Sequence, residues 1–502
     1  MSLWTFSRAT LTAQDERAHV SAVLYAHEFQ AWPGFKEMPL MLSAMRAAEE
    51  IGGSPFAVDE AKPRPERPSF RELTTPENHL SATTLNQMSQ HPPLYYAGLA
   101  VLHELVAPGD LPFDLEIWAW RFLSVVLIAP LPLLAAALAR RLGASRLMVI
   151  AAAASTALIP GVQVVAASVN NDNLLVAASA WALLGVGCVL TGDLRFRTSV
   201  GIGVALAIAL LTKAFALPIA AVAGSAYLLV AVRRGSLRPV VGPLLTMVVV
   251  SATGWWWWVR NLFIYGTLQP SGHGQALQDG PLAWVDAWPI YFHTFVDRFF
   301  ARYWLGANGP TVGAIGVSLA AAVTLLYVGV LVVLLARGKR HRRAVANALV
   351  LSAPLFVMAT IVAVQSYRYT VVTGVAAGVQ GRYLYPALIG AAAAFALVAS
   401  IVLRDSFQRV ALSAILAAGL AATLWRILIA IFSSWGATGA SFLERLDAIY
   451  SWSPLPYGVS IAVHAVFTVS VVAVVVAAVT ELVTPRAEHA VTAYPEPQKS
   501  PR

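Results

Sequence analysis

Asp15 and Glu16 stand side by side near the start of the chain, and Asp172 lies far downstream in Asn170-Asn171-Asp172-Asn173. A carboxylate beside a bound hydroxyl group can take its proton, so separated acidic positions of this kind are candidates for general-base work. The cations that would complement them are few. Lys213 sits between two short apolar runs, and Arg260 closes the run Trp255-Trp256-Trp257-Trp258-Val259-Arg260-Asn261. Arg382 and Tyr383 fall in Gln380-Gly381-Arg382-Tyr383-Leu384-Tyr385-Pro386, and His91 opens His91-Pro92-Pro93-Leu94-Tyr95-Tyr96. Lysine and arginine hold phosphate oxygens through charge-assisted hydrogen bonds, arginine with a bidentate fork. Acidic residues together with a lysine, arginines and a histidine describe a site for a phosphate-bearing substrate.

Each cluster alone has a plainer reading. Adjacent carboxylates are ordinary surface charge, asparagine and aspartate cap helices, and proline suits a helix's first turn. Lysine snorkels to an interface, and tryptophans near a membrane surface belong to the aromatic belt, which leaves Arg260 as the functional candidate of its run. Arg426, deeper in its apolar run, fits either a snorkelling residue or a site residue. The signal is the convergence of these clusters on one side of the elements that carry them.

Those elements are membrane helices. Of 502 residues, 58% are hydrophobic and 12% charged, against about 45–50% and 25% in soluble domains. The fold class is therefore all-α, a polytopic transmembrane bundle. Spanning takes about 20 apolar residues, and the runs that qualify are near 117–139, 146–166, 172–191, 198–212, 214–232, 240–259, 311–336, 344–365, 382–403, 410–433 and 458–483. The sequence thus predicts about ten or eleven spans, with residues 1–116 as an extracytoplasmic segment, 117–484 as the bundle and 485–502 as a disordered cytoplasmic tail. Residues 93–107 are too short and polar to span and read as a helix on the outer surface.

Arginine sets the direction. Arg140, Arg141 and Arg146 share a loop, as do Arg195 and Arg197, Arg233 to Arg238, Arg337 to Arg343, and Arg404 and Arg409. Basic loops face the cytoplasm, which places the polar clusters on the outer face. The net charge of +9 is accounted for in this way rather than by nucleic acid. There is no Walker A, zinc-finger or RNP pattern, and the single Cys188 excludes a disulfide framework. Nucleotide-driven transport and nucleic-acid binding are poor candidates.

The order of the clusters resembles the GT-C glycosyltransferases, integral membrane enzymes that use polyprenyl-phosphate sugars. Asp15-Glu16 stands where that family has a Pro-Asp-Glu-like motif after a first span, and His91-Pro92-Pro93 followed by aromatics is similar to its surface-helix motif. Asp172 looks like its second aspartate, and Leu211-Thr212-Lys213 like its lysine turn. Trp257-Trp258-Val259-Arg260-Asn261 and Arg382 to Pro386 complete the order, so the likeness covers about residues 10–400. Two departures stand out: Gln14 replaces the proline before the acidic pair, and the first span is absent, so a preceding helix is expected beyond this sequence's start.

The resemblance implies a sugar moving from a polyprenyl-phosphate donor to a glycan, lipid or protein acceptor of the cell envelope, at the outer face of a bacterial inner membrane. Asp15 would be the base, with Glu16 and Asp172 in the acidic set and Asp172 orienting the acceptor or the loop. Lys213, Arg382, Arg260, His91 and Tyr383 would bind the donor phosphate, and direct displacement would invert the anomeric centre. Some relatives use a divalent metal and others do not; no ligand spacing supports one here, so no cofactor is expected. The rival reading is a lipid or small-solute transporter or flippase. A non-catalytic partner in an envelope complex is a third.

Overall fold

The computed structural model describes residues 4–51, 67–75, 78–106, 111–270, 280–306, 309–337, 341–436 and 439–483. The expected tail at 485–502 lies outside them. Among the described residues eight helices are long and apolar enough to cross a membrane: Phe113–Arg141, Asp172–Leu190, Ala214–Arg234, Arg238–Tyr265, Arg342–Thr373, Gly381–Val402, Asp405–Ser434 and Tyr457–Ala477. A ninth results if Arg146–Ala157 and Pro160–Ala166, bent by 53°, form one broken span. Pro160, with no N–H to donate, opens the second limb. The expected run at 198–212 is the shorter helix Phe196–Leu210, and that at 311–336 lies within Gly309–Arg337, interrupted at Gly313.

Asp172–Leu190 and Gly381–Val402 are the enclosed spans, 72% and 78% buried, whereas Asp405–Ser434 is 22% buried and lies at the margin. Small residues account for the tight centre. Leu388–Val402 is rich in alanine, and a Cβ on Gly390 would stand 2.5 Å from the Leu351 carbonyl oxygen. In lipid, where apolar surface gains little from helix association, close backbone approach through small residues is what holds helices together.

Residues 9–120 contribute to a second core. The helix Glu16–Phe29 packs on Leu94–Val106 and on Leu42–Glu50, burying Val20, Val23, Met41, Tyr95, Tyr96, Phe113 and Trp120 together. A short antiparallel pair, Pro39–Met41 with Leu80–Leu85, is the one sheet among the described residues, and the sequence offers no sign of it. The helix expected at 93–107 is Leu94–Val106.

The arginine loops meet at one end of the bundle. Arg141 donates to Thr191 Oγ1 (2.8 Å), Arg233 to the Leu190 and Arg343 carbonyls, and Arg234 to the Gly192 carbonyl. The Ser145 amide donates to Ser400 Oγ at 2.9 Å. Asp172–Leu190, Ala214–Arg234 and Gly381–Val402 each run from the polar clusters to this basic end.

Candidate active site

The helix Glu16–Phe29 begins at Asp15, whose backbone is left-handed (φ 62°, ψ 2°) and whose side chain does not cap the helix. A non-glycine residue held there stores about 1–3 kcal/mol of strain, a device common at functional sites. The turn delivers the carboxylate to Arg382, whose Nη2 donates to Asp15 Oδ2 at 2.6 Å. Arg382 Nε lies 3.3 Å from Asp172 Oδ2, and Lys213 Nζ donates to Asp172 Oδ1 at 2.6 Å. Asp15, Arg382, Asp172 and Lys213 thus form one alternating chain of charges with a formal sum of zero. Three of the side chains are almost fully buried, and Asp15 is 30% exposed, so the carboxylate at the end of the chain is the accessible one.

Each member is fixed by local structure. Asp172 is the first residue of its span, and the turn before it is closed by the Asp172 amide donating to Asn170 Oδ1 and by Asn173 Nδ2 donating to the Val165 and Ser168 carbonyls. Lys213 is extended between Phe196–Leu210 and the 3-10 turn Ala214–Ala216, at the break the sequence predicts. Arg382 lies in the 3-10 segment Gly381–Ala387. A Cβ on Gly381 would meet the Phe299 carbonyl oxygen at 2.3 Å, so glycine serves close packing against a neighbouring helix. Tyr383 lies beneath Lys213, with Nζ 4.6 Å from the ring centroid, and stacks on Phe215.

Other candidates take different places. Glu16 faces Arg121, which binds both of its oxygens at 2.8 and 2.6 Å, and Glu16 Oε1 also accepts the Val169 amide. Arg260 donates to Asn261 Oδ1 and lies over Trp257, with no polar contact to the four charged residues. Trp257 and Trp258 are core residues, Trp258 Nε1 donating to the Leu210 carbonyl. His91 is buried, its carbonyl accepting from Trp32 Nε1. Burial, aided by Lys213, pushes its pKa well below the ordinary histidine value. Near neutral pH it offers a neutral ring, not a cation.

His19, one turn beyond Asp15, is also buried, with Nδ1 3.0 Å from Tyr96 Oη. Burial, with help from Lys213 and Arg382 and opposed by Asp15, lowers its pKa to about 3. At Asp15 burial raises the pKa, but Arg382 and Lys213 outweigh it and hold the carboxyl below its usual range. Asp15 is therefore ionised, and His19 neutral, across the physiological range.

Buried polar atoms with no hydrogen-bond partner among the described residues gather here: His91 Nδ1, Asn170 Nδ2, Asn171 Oδ1 and Gln380 Oε1, while Asp172 Oδ2 and Arg382 Nε have only their ion-pair contact with each other. Buried polar groups are nearly always satisfied, so a concentration of such atoms marks a place built for a further polar partner. A cavity lies on the far side of Trp32 from this centre. It is a groove of about 1180 Å³ between Glu16–Phe29 and Leu94–Val106, with His27, Trp32, His79, His103 and Glu104 among its walls. Trp32 connects the two places, since it stacks on Tyr96 at 4.8 Å. Among the described residues no group of three or more His, Cys, Asp or Glu is placed to hold a metal ion.

A family model described as "Predicted membrane protein (DUF2142)" matches residues 1–391. The chain belongs to that family. The matched stretch of this DUF2142 protein includes every charged residue of the centre; Asp405–Ser434 and Tyr457–Ala477 lie beyond it. No curated protein matches the chain. It is similar to a crystal structure of ArnT from Cupriavidus metallidurans bound to undecaprenyl phosphate, with 16% identity and a TM-score of 0.43 over 91% of this chain and 73% of that one. It is also similar to the apo structure of that protein, with 15% identity and a TM-score of 0.31 over 79% and 75%. At these scores neither likeness assigns a function.

Of the residues singled out from sequence, Asp15, Asp172, Lys213, Arg382 and Tyr383 are brought into contact. His91 is buried in the same electrostatic neighbourhood, whereas Glu16 and Arg260 have their own partners. His19, Tyr96 and Arg121 were not singled out as site residues. Tyr96 closes the His91 motif and His19 follows Asp15 by four residues; Arg121 looks like any other arginine near a span's start.

Proposed function

We infer that this DUF2142 protein is a membrane glycosyltransferase of the GT-C type, moving a sugar from a polyprenyl-phosphate donor to a cell-envelope acceptor. The observation that carries the reading is the buried chain Asp15–Arg382–Asp172–Lys213, with its carboxylate end the exposed one. In this reading the acceptor hydroxyl enters from the groove past Trp32 and attacks the anomeric carbon. Asp15 takes the hydroxyl proton. The bond from that carbon to the donor phosphate breaks with its electron pair on the phosphate oxygen, and the configuration inverts. Arg382 and Lys213 stabilise that developing charge; fixed cations of this kind are usually the largest contribution to such a reaction. Asp172 holds both cations in place, and Glu16 positions Asp15 by tying the chain to Arg121.

A transporter would need its polar residues along a path at mid-depth, whereas these lie where helices begin. The carboxylates already face guanidinium and ammonium groups, so the reading requires no divalent metal. The experiment is release of the free polyprenyl phosphate or diphosphate from a lipid-linked sugar by purified protein in nanodiscs with an envelope acceptor. Release that depends on acceptor and survives a chelator is expected. A folded preparation that binds the lipid but never cleaves it would overturn the assignment in favour of transport.

A further inference from the structure

A second cluster of cations borders the first and takes no part in the chemistry just described. A cavity of about 30 Å³ opens beside Arg382, with Arg8, Gln14, Ser168, Arg302 and Gln380 as its other polar walls. Arg8 comes from the N-terminal segment and donates to the Thr12 carbonyl at 2.9 Å. Arg302, from the helix Trp284–Leu305, donates to the Val379 carbonyl. Close to Arg8 is Arg426, which donates to the Leu305 carbonyl at 3.1 Å and lies over the Trp4 ring.

The charge balance differs from that of the carboxylate chain. There, two acids offset two bases. Here, among the described residues, no carboxylate is within ion-pair distance of Arg8 or Arg426, and the nearby Glu16 is held by Arg121. Burial, and to a lesser degree the facing Arg426 charge, lowers the Arg8 pKa to about 9, against the opposing pull of Glu16. A water needs about 10–15 Å³ of such space, so the cavity has room for a compact oxyanion and not for a sugar ring. Several guanidinium groups converging from different elements suit a tetrahedral oxyanion with oxygens on every side. Arg382 is a wall of the cavity and a member of the charge chain, so two phosphates joined by one oxygen would lie against the two clusters together.

We propose that the cavity walled by Arg8, Arg302 and Arg382 is a second phosphate subsite, which makes the lipid donor a polyprenyl diphosphate sugar rather than a monophosphate. The lipid identity rests on the reading under Proposed function; the anion subsite rests on the cavity. In the transfer, the anomeric carbon gains its bond from the acceptor oxygen and loses its bond to the near phosphate. The electron pair goes to the lipid diphosphate and the acceptor proton to Asp15. The added negative charge spreads onto the far phosphate, where Arg8 and Arg302 meet it.

The test measures binding of polyprenyl monophosphate and polyprenyl diphosphate to the full chain in nanodiscs, with inorganic pyrophosphate as competitor. Wild type should bind the diphosphate lipid about tenfold or more tightly than the monophosphate. Arg8→Gln with Arg302→Gln should remove that preference while leaving monophosphate binding within about threefold, and Arg8→Lys should retain part of it. Pyrophosphate should displace the diphosphate lipid, which separates headgroup recognition from binding through the tail. If the double variant has a lowered melting temperature, Arg8→Gln alone decides. Equal affinity for the two lipids, or a variant that weakens both equally, overturns the subsite and leaves the transferase reading intact. If the wild type binds neither lipid, the transferase reading fails as well; pyrophosphate binding that persists in the variants also overturns the subsite.

Discussion

At Asp15 the left-handed backbone gives mutagenesis a clean comparison. Aspartate and asparagine are the non-glycine residues that tolerate this conformation best, so Asp15→Asn keeps the turn and removes only the proton acceptor. Turnover should fall roughly 10²–10⁴-fold with donor binding little changed; near-normal turnover in a folded preparation would remove Asp15 as the base. Arg382 supplies Nη2 to Asp15 and faces Asp172 with Nε. An ammonium group cannot reproduce that fork, so Arg382→Lys should weaken donor affinity, read by lipid titration, although the charge is kept. His19 adds a pH signature. Its folded pKa, about 3, lies below the free value of 6.5, so between these pH values the unfolded chain binds the extra proton. Stability from this group is therefore full above the free pKa and is lost as pH falls. His19→Gln should flatten the dependence of unfolding free energy on pH below 6.5, and an unchanged slope would show that His19 titrates normally.

At the scale of elements, one latch stands out. Arg121, on the span Phe113–Arg141, binds both oxygens of Glu16 and accepts no other role than holding the chain before it: its remaining hydrogens reach the Thr5, Arg8 and Ala9 carbonyls. It is 1% exposed. Removing one partner of a buried pair leaves the other uncompensated and typically costs about 3–5 kcal/mol. Glu16→Gln should thus lower the melting temperature, and a double-mutant cycle with Arg121→Met should recover part of the loss. If Glu16→Gln instead abolished turnover at unchanged stability, Glu16 would belong to the reacting groups. The contrast between Asp15 and Glu16 also shows what sequence can convey. Asp172, Lys213 and Arg382 were legible because each polar residue interrupts an apolar run, a place where charge is costly and calls for a reason. The division of labour within Asp15-Glu16 was not legible, because it depends on a partner 105 residues away. Arg8 and Arg302 were silent for the same reason: nothing local distinguishes a cavity wall from surface charge. The spans followed from composition; the run at 198–212 forms only the 15-residue helix Phe196–Leu210, and that at 146–166 is bent by 53°.

Across the whole molecule, the charge chain and the arginine loops occupy opposite ends of the same three spans. By the positive-inside rule, the proposed reading expects the candidate site on the extracytoplasmic side. Thr84→Cys and Ser236→Cys, in a Cys188→Ser background, test this with an impermeant thiol reagent, since both positions are exposed and belong to opposite ends. Thr84 should label in intact cells and Ser236 only after permeabilisation; the reverse would turn the site inward and remove the extracytoplasmic acceptor. The long reach of the Asp15–Arg382 pair has a further consequence, for synthesis. Lys213 and Asp172 lie 41 residues apart and can meet soon after both have left the ribosome, whereas Arg382 follows Asp15 by 367 residues. At about 5–20 residues per second, the N-terminal segment waits on the order of 20–70 seconds with its strained turn unsecured. During that interval Asp172 and Lys213 can form only half of the charge chain. The four-residue charge chain is therefore incomplete until most of the helices have been made, and any activity that depends on it must wait for a nearly complete bundle.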